Sequence, residues 1–162
     1  MKKFIGVLFA LLLALPTTAS AQEVVSDDAL GVSATVPAGW ARTEGNDRAV
    51  FSFSESETNS QIEVIGAELL TPDVADVFFD TFHETLASAE FLQRGREDRT
   101  IGDVSGTETT YSFTHSSVTL KLAVFQFVRE SNAYLVVAYV QEDFFDDQAE
   151  QYRNVITSLV FN

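Results

Sequence analysis

Alternation of apolar and polar residues dominates the chain, and it predicts strands. Residues 31–36 alternate until Pro37 stops them, and residues 49–54 alternate with Phe51 and Phe53 on one side. Residues 62–67 predict a third strand, and the polar stretch before it predicts a hairpin connection. Three longer strands follow at 107–114, 118–128 and 133–140, joined by the short turns "HSS" and "RESN".

Two segments have the period of an amphipathic helix. The first covers residues 71–89, where Thr71 is the predicted cap and Pro72 suits the first turn. We expect its apolar residues to face a sheet: Val74, Val77, Phe78, Phe82, Leu86 and Ala89. The second covers residues 142–161, with Asp143 as the predicted cap and Asp146 and Asp147 in its first turn. Its apolar side consists of Phe145, Ala149, Tyr152, Ile156 and Leu159.

The order of these elements predicts an α+β fold. The strand at 133–140 is apolar on both faces, which is expected where both sides of a sheet are covered. The chain therefore runs through strands, a helix, further strands and a second helix. This order predicts a mainly antiparallel sheet of about six strands with one helix on each face, an α/β/α sandwich. The polar stretch at 93–106 is predicted to be a connection between the first helix and the later strands.

The N-terminal residues have the pattern of a secretory signal. Lys2 and Lys3 are followed by an apolar run over residues 4–15 and by the small-residue cleavage pattern of residues 19–21. We therefore predict a signal peptide at 1–21 and a single exported domain at 22–162, either periplasmic or secreted. No later apolar stretch is long enough to span a membrane, because a spanning helix needs about 20 residues.

Charge and cysteine content narrow the possible partners and chemistries. The chain has 24 acidic and 10 basic residues, and two of the basic residues lie in the predicted signal, which leaves a mature charge of −16. Such an acidic protein repels nucleic acids and anionic membranes. The chain contains no cysteine, so disulfides, thiolate metal sites and cysteine nucleophiles are excluded.

Three short stretches accompany this order of elements: Val36-Pro37-Ala38-Gly39-Trp40, Gly106 followed by Tyr111, and the terminal Ser158-Leu159-Val160-Phe161. With them, the chain resembles the PsbP-like superfamily over residues 24–161. That superfamily includes extrinsic proteins of photosystem II, a nuclear Ran-binding import factor and periplasmic proteins of the DcrB type. The resemblance implies an α/β/α sandwich that serves mainly as a non-catalytic binding or assembly module, and it assigns no functional residue.

Trp40 is the only tryptophan of the chain, and it has two interpretations. Pro37 cannot donate to a strand ladder and Gly39 permits a tight bend, so residues 36–39 are predicted to be the exit of the first strand. The ring of Trp40 is then predicted to pack into the core between sheet and helix. The alternative is that Trp40 binds a ligand.

Three acidic or histidine-bearing segments are candidates for chemistry. Asp76, Asp80 and His83 recur at helical spacing, so we expect them to share the face opposite the apolar one, where they form either a solvated surface or part of a divalent metal site. His115 in a predicted turn beside serines does not make a hydrolase triad. The acidic stretch at 141–150 is interpreted as a helix start and not as a calcium loop.

Arg94, Arg96 and Arg99 form the one basic island of the mature chain. Such a group can bind a carboxylate or a phosphate, but Glu97 and Asp98 lie inside it and predict a self-neutralised loop. We therefore predict no catalytic, cofactor-binding or metal residue and no cofactor. The predicted function is a monomeric, non-enzymatic binding module of the cell envelope, whose partner is an unknown protein or small ligand. The alternatives are an exported metal-assisted hydrolase that uses Asp76, Asp80 and His83, and a stability or cargo domain without a specific ligand.

Overall fold

Two antiparallel sheets make up most of the structure. The computed structural model describes residues 22–44 and 48–162, so the predicted signal at 1–21 lies outside the described residues. The larger sheet has seven strands in the order β3-β4-β5-β9-β8-β7-β6, and the smaller has three in the order β1-β2-β10. The strands are β1 (Val24–Asp27), β2 (Val32–Thr35), β3 (Ala41–Arg42), β4 (Ala49–Glu55), β5 (Ser60–Glu68), β6 (Leu92–Ile101), β7 (Val104–His115), β8 (Val118–Arg129), β9 (Asn132–Gln141) and β10 (Val160–Phe161).

Two helices cover opposite faces of the large sheet. They are α1 (Val74–Ser88) and α2 (Phe145–Ser158), and α2 is preceded by a 3-10 turn at Glu142–Phe144. Because side chains alternate along a strand, β9 supplies Val136 to the core beneath α2 and Val137 to the core beneath α1. The predicted α/β/α sandwich and the doubly apolar central strand are therefore confirmed.

Strand β6 was not predicted. Residues 93–106 were interpreted as a polar connection, yet residues 92–101 pair with β7 along their whole length. In this strand only Ile101 is buried, and Arg99 is partly covered. Helix α2 packs only on the C-terminal end of this strand, where Ile101 joins the core, and residues 92–98 are exposed. Alternating apolar residues are therefore not needed along most of β6, and its sequence has no strand pattern.

The predicted helix caps were wrong. Helix α1 begins at Val74 after Asp73, and Thr71 lies in the preceding turn, where its carbonyl accepts a hydrogen bond from the Val74 N–H at 3.1 Å. Asp143 lies in the 3-10 turn, and Phe144 occupies the cap position of α2. Pro72 also precedes α1, and its carbonyl accepts a hydrogen bond from the Ala75 N–H at 3.2 Å.

Trp40 has the structural role that the sequence predicts. Strand β2 ends at Thr35, Gly39 adopts a φ of +81°, and the Trp40 N–H donates to the Pro37 carbonyl at 3.1 Å. The Trp40 side chain is 9% exposed and belongs to the core beneath α2. The turn after β2 therefore directs a large ring into the core.

Candidate functional site: an apolar groove along α1

A groove of about 520 Å³ runs between one flank of α1 and the large sheet. Its helical wall comes from residues 74–85 and extends for roughly 16 Å, since a helix rises 1.5 Å per residue. Its floor comes from β5 and β9. The lining residues are Arg48, Ile65, Val74, Val77, Phe78, Thr81, Phe82, Thr85, Leu135 and Tyr139.

The groove exists because α1 carries more apolar surface than the sheet covers. The helix buries Ala75, Phe79 and Leu86 against the sheet. The predicted sheet contacts Val74 and Val77 are instead 38% and 63% exposed. The buried face is thus rotated from the predicted one, and these valines form the outer wall of the groove.

Two threonines in the wall present little polarity. The hydroxyl of Thr81 donates to the Val77 carbonyl at 2.7 Å, and the hydroxyl of Thr85 donates to the Thr81 carbonyl at 2.8 Å. Both hydroxyls are therefore satisfied within the helix. The part of each side chain left for contact with a ligand is its methyl group, so this wall behaves chemically as hydrocarbon.

The polar groups of the groove are Arg48 and Tyr139. Tyr139 is hydrogen-bonded to Glu63, a carboxylate that is only 3% exposed. Glu63 also accepts a hydrogen bond from Gln61 Nε2 at 3.0 Å, and the same nitrogen lies 3.0 Å from Ser52 Oγ. Burial, with the nearby charge of Glu63 second, raises the pKa of Tyr139 far above its ordinary value. Tyr139 therefore remains a neutral phenol tied to a fixed, buried carboxylate.

The structure separates the predicted Asp76, Asp80 and His83 group. Asp76 and Asp80 are exposed, but His83 is half-buried and turned onto the sheet. Its Nε2 lies 2.6 Å from Gln126 Oε1 and its Nδ1 lies 2.5 Å from the Tyr111 hydroxyl. The expectation that all three share a solvated face was wrong for His83. Within residues 22–44 and 48–162, no group of three or more histidine, aspartate or glutamate side chains is placed to hold a metal ion.

The three arginines of the basic island lie on a strand and do not form one anion site. Arg94 Nε donates to Ser112 Oγ at 2.6 Å. Arg99 pairs with Glu97 and, at 2.9 Å, with Glu108 Oε2. Arg96 is three residues before Arg99 in a regular stretch of β6 and so points to the opposite face. The predicted neutralisation by Glu97 is confirmed, but in a strand and not in a loop.

The other two candidate segments lie at the end of a strand and at the start of a helix. His115 ends β7 with an exposed side chain, and its ring stacks on Phe113 with a centroid distance of 6.4 Å. The acidic stretch at 141–150 forms the 3-10 turn and the first turns of α2, and Glu142 pairs with Lys121 Nζ at 3.1 Å. This location confirms the interpretation of the stretch as a helix start.

Sequence reasoning missed the groove. The available signal was the number of apolar residues in α1, since seven of them between 74 and 86 occupy more than one helix face. The second signal was Glu63, a charged residue between the apolar Ile62 and Val64. A buried carboxylate needs partners, and those partners come from neighbouring strands that the local sequence does not identify.

Comparison with known proteins identifies the fold. No protein-family model matches the chain, and no curated protein matches it in sequence. Among solved structures, it is similar to the cyanobacterial PsbP of Synechocystis, with a TM-score of 0.59 and 14% identity over 93% of this chain and 99% of that one. LpqN of Mycobacterium tuberculosis is similar with a TM-score of 0.55 and 15% identity over 90% of this chain and 87% of that one.

A mutant of the protein Mog1 is also similar, with a TM-score of 0.53 and 12% identity over 87% of this chain and 96% of that one. These similarities confirm the predicted PsbP-like fold. In the part of the chain that the structure describes, neither helix is long and apolar enough to span a membrane.

Proposed function

We propose that this protein is an exported, non-catalytic binding module of the cell envelope, and that its ligand occupies the apolar groove along α1. The observation that carries the proposal is the groove itself. Ligand sites are concave spaces of about 300–1,000 Å³ with mainly apolar walls and a few polar groups, and this groove has the same character.

Export is supported by two independent observations. The first 21 residues have the charge, apolar run and small-residue ending of a secretory signal. Among the proteins that share the fold, LpqN is described as involved in cell envelope biogenesis. A binding role is supported by the groove, whose volume and apolar lining suit a ligand.

The walls of the groove favour a ligand with a hydrocarbon body. Val74, Val77, Phe78 and Phe82 offer aliphatic and aromatic surface, and the satisfied hydroxyls of Thr81 and Thr85 leave methyl groups. Burial of such surface favours binding by about 25 cal/mol per Å². Arg48 and Tyr139 then lie where a polar head group can be held. We therefore assign the groove to a lipid-like molecule with an aliphatic chain.

Binding of an apolar dye tests the groove. Anilinonaphthalene sulfonate is expected to gain fluorescence on mixing with the protein, and dodecanol is expected to displace it. Val77→Gln places an amide in the wall at an exposed position and is expected to weaken dye binding about fivefold, because roughly 1 kcal/mol of apolar contact is lost. Val128→Gln is the matched control, since Val128 is 46% exposed and lies outside the groove.

The result that would overturn this assignment is equal dye affinity in wild type, Val77→Gln and Val128→Gln. Export is tested separately by mass spectrometry of the protein from an envelope fraction. The expected N-terminal residue is Gln22, and a chain that keeps residues 1–21 in the cytoplasm would contradict export.

A further inference from the structure

A second cavity of about 170 Å³ lies on the other face of the sheet, beneath α2. It exists because small side chains from three adjacent strands are in register. Thr110 of β7 is opposite Ala123 of β8, and Ala123 is opposite Ala138 of β9. Ala149 of α2 lines the same space from above. The floor and the roof are therefore both too small to fill the gap between helix and sheet.

The inner part of this cavity is apolar. Its lining combines Ala123, Ala138, Val140, Phe145 and Ala149. Ala123, Ala138 and Val140 are all buried. Cavities lined in this way are poor sites for ordered water, and an apolar cavity of about 150 Å³ in another protein accepts benzene. The size and walls therefore fit one six-membered ring.

The other part of the cavity is polar, and Tyr152 is among the residues that line it. Tyr152 is 3% exposed, and its hydroxyl has no hydrogen-bond partner among the described residues. Burial, with the charge of Glu108 second, raises the pKa of Tyr152 well above its ordinary value. The group is thus a neutral O–H that needs an acceptor, since an unsatisfied buried donor costs about 1–3 kcal/mol.

A carboxylate completes the polar part. The side chain of Glu108 is only 10% exposed, and its Oε2 accepts a hydrogen bond from Arg99 Nε at 2.9 Å. Arg99 is also paired with Glu97. The charge of Glu108 is therefore compensated within the protein, and an occupant needs no charge of its own. Glu97, Asp146 and Arg153 are exposed lining residues, so the cavity opens to solvent on this side.

We propose that this cavity binds a neutral, one-ring molecule whose polar substituent accepts a hydrogen bond from Tyr152 and donates one to Glu108. A phenol has both properties and the right size. The site is independent of the proposed α1 groove, because the two lie on opposite faces of the sheet and share no lining residue. Either assignment can fail without the other.

Titration with p-cresol, toluene and benzoate tests the site, with amide chemical shifts and calorimetry as readouts. We expect p-cresol to bind with shifts in α2, β7 and β8. Toluene is expected to bind more weakly, because it cannot pair with Tyr152. Benzoate is expected to bind more weakly than p-cresol, because its carboxylate must lose its hydration and has no proton to donate to Glu108.

Two test variants and one control variant locate the interaction. Tyr152→Phe removes only the hydroxyl and is expected to weaken p-cresol binding about tenfold while leaving toluene unchanged. Tyr134→Phe is the matched control, since Tyr134 is also buried but bonds to the Leu30 carbonyl elsewhere. Ala149→Leu fills the cavity from the helix side and is expected to abolish binding of both probes.

Three outcomes would overturn the proposal. The first is no p-cresol binding at millimolar concentration, and the second is equal p-cresol affinity in wild type and Tyr152→Phe. The third is that p-cresol changes the amide chemical shifts only of residues that line the α1 groove.

Discussion

The hydroxyl of Tyr111 lies 2.5 Å from Nδ1 of His83 and joins strand β7 to helix α1. The other ring nitrogen, Nε2, donates to Gln126 Oε1 on β8 at 2.6 Å, so Nδ1 is the acceptor and Tyr111 is the donor. The two rings also stack with a centroid distance of 5.9 Å. One histidine thus fixes the helix over two strands.

We predict that Tyr111 and His83 are energetically coupled. Tyr111→Phe is expected to lower the free energy of unfolding by about 1 kcal/mol, because Nδ1 of His83 loses its donor. In a double-mutant cycle with His83→Ala, measured by urea unfolding, the coupling energy is expected to be about 1 kcal/mol. Tyr134→Phe combined with His83→Ala should be additive. Additivity of Tyr111→Phe with His83→Ala would contradict a direct interaction.

Trp40→Ala is predicted to lower the free energy of unfolding by about 3–5 kcal/mol, as the truncation of a large core aromatic does. The side chain is 9% exposed in the core beneath α2, so a cavity would form there. Urea unfolding followed by circular dichroism measures the change without relying on tryptophan fluorescence. Trp40→Phe should cost less, since a ring remains. Unchanged stability of Trp40→Ala would return this residue to the list of binding candidates.

Alkaline titration is predicted to ionise the tyrosines only as the protein unfolds. The chain has four tyrosines, and burial raises the pKa of each of them: Tyr111, Tyr134, Tyr139 and Tyr152. The pKa of tyrosine in the unfolded chain is about 10, and below that pH the neutral phenols stabilise the fold fully. This stabilisation is lost as the pH rises towards the raised pKa values of the folded state. Phenolate absorbance and loss of circular dichroism should therefore coincide. A tyrosine that titrates near pH 10 in the folded protein would contradict this prediction.

The turn between β4 and β5 is predicted to weaken in acid through Glu55. Its carboxylate accepts hydrogen bonds from the Thr58 hydroxyl at 2.5 Å and from the N–H groups of Glu57 and Thr58 at 2.7 and 2.8 Å. These bonds, with that of the Thr58 hydroxyl first, hold the pKa of Glu55 below its ordinary value of 4.5. The stabilisation of the turn is fully present above pH 4.5, the ordinary pKa that applies to the unfolded chain. It is lost as the pH falls through the lowered pKa of the folded state.

Carboxyl resonances followed by NMR measure this effect. Thr58→Ala should move the pKa of Glu55 back towards 4.5, and Thr58→Ser should keep it low because the hydroxyl remains. An identical Glu55 titration in the two variants would show that the hydroxyl does not contribute.

The sequence predicted those elements in which burial determines which positions are apolar. β9 is covered on both faces and is apolar on both, and the hairpins around it follow from alternation and turn residues. β6 was missed because residues 92–98 are exposed and only its C-terminal end packs under α2, so most of the strand is free to be charged. The buried face of α1 was misplaced because residues 74–86 carry apolar side chains around more than half the helix, and only packing on the sheet selects which of them are buried.

The candidate sites could be predicted less well than the fold. The cavity beneath α2 depends on the exact register that aligns Thr110, Ala123 and Ala138 across three consecutive strands, and on the position of Ala149 above them. The link between Tyr139 and Glu63 also crosses from β9 to β5. Side chains of this kind become a site only through strand pairing, which local patterns do not specify.

The open edge of β6 has a consequence for the behaviour of the protein at high concentration. A ten-residue edge strand offers unpaired backbone groups to any second chain that can align with it. Here the strand carries charges of both signs between Arg94 and Arg99, and its pairing with β7 is irregular between Gln93 and Gly95. Charged side chains and a bulge of this kind oppose edge-to-edge addition. The basic island and its acidic neighbours are thus well suited to prevent the sheets of neighbouring molecules from joining into fibres at high concentration.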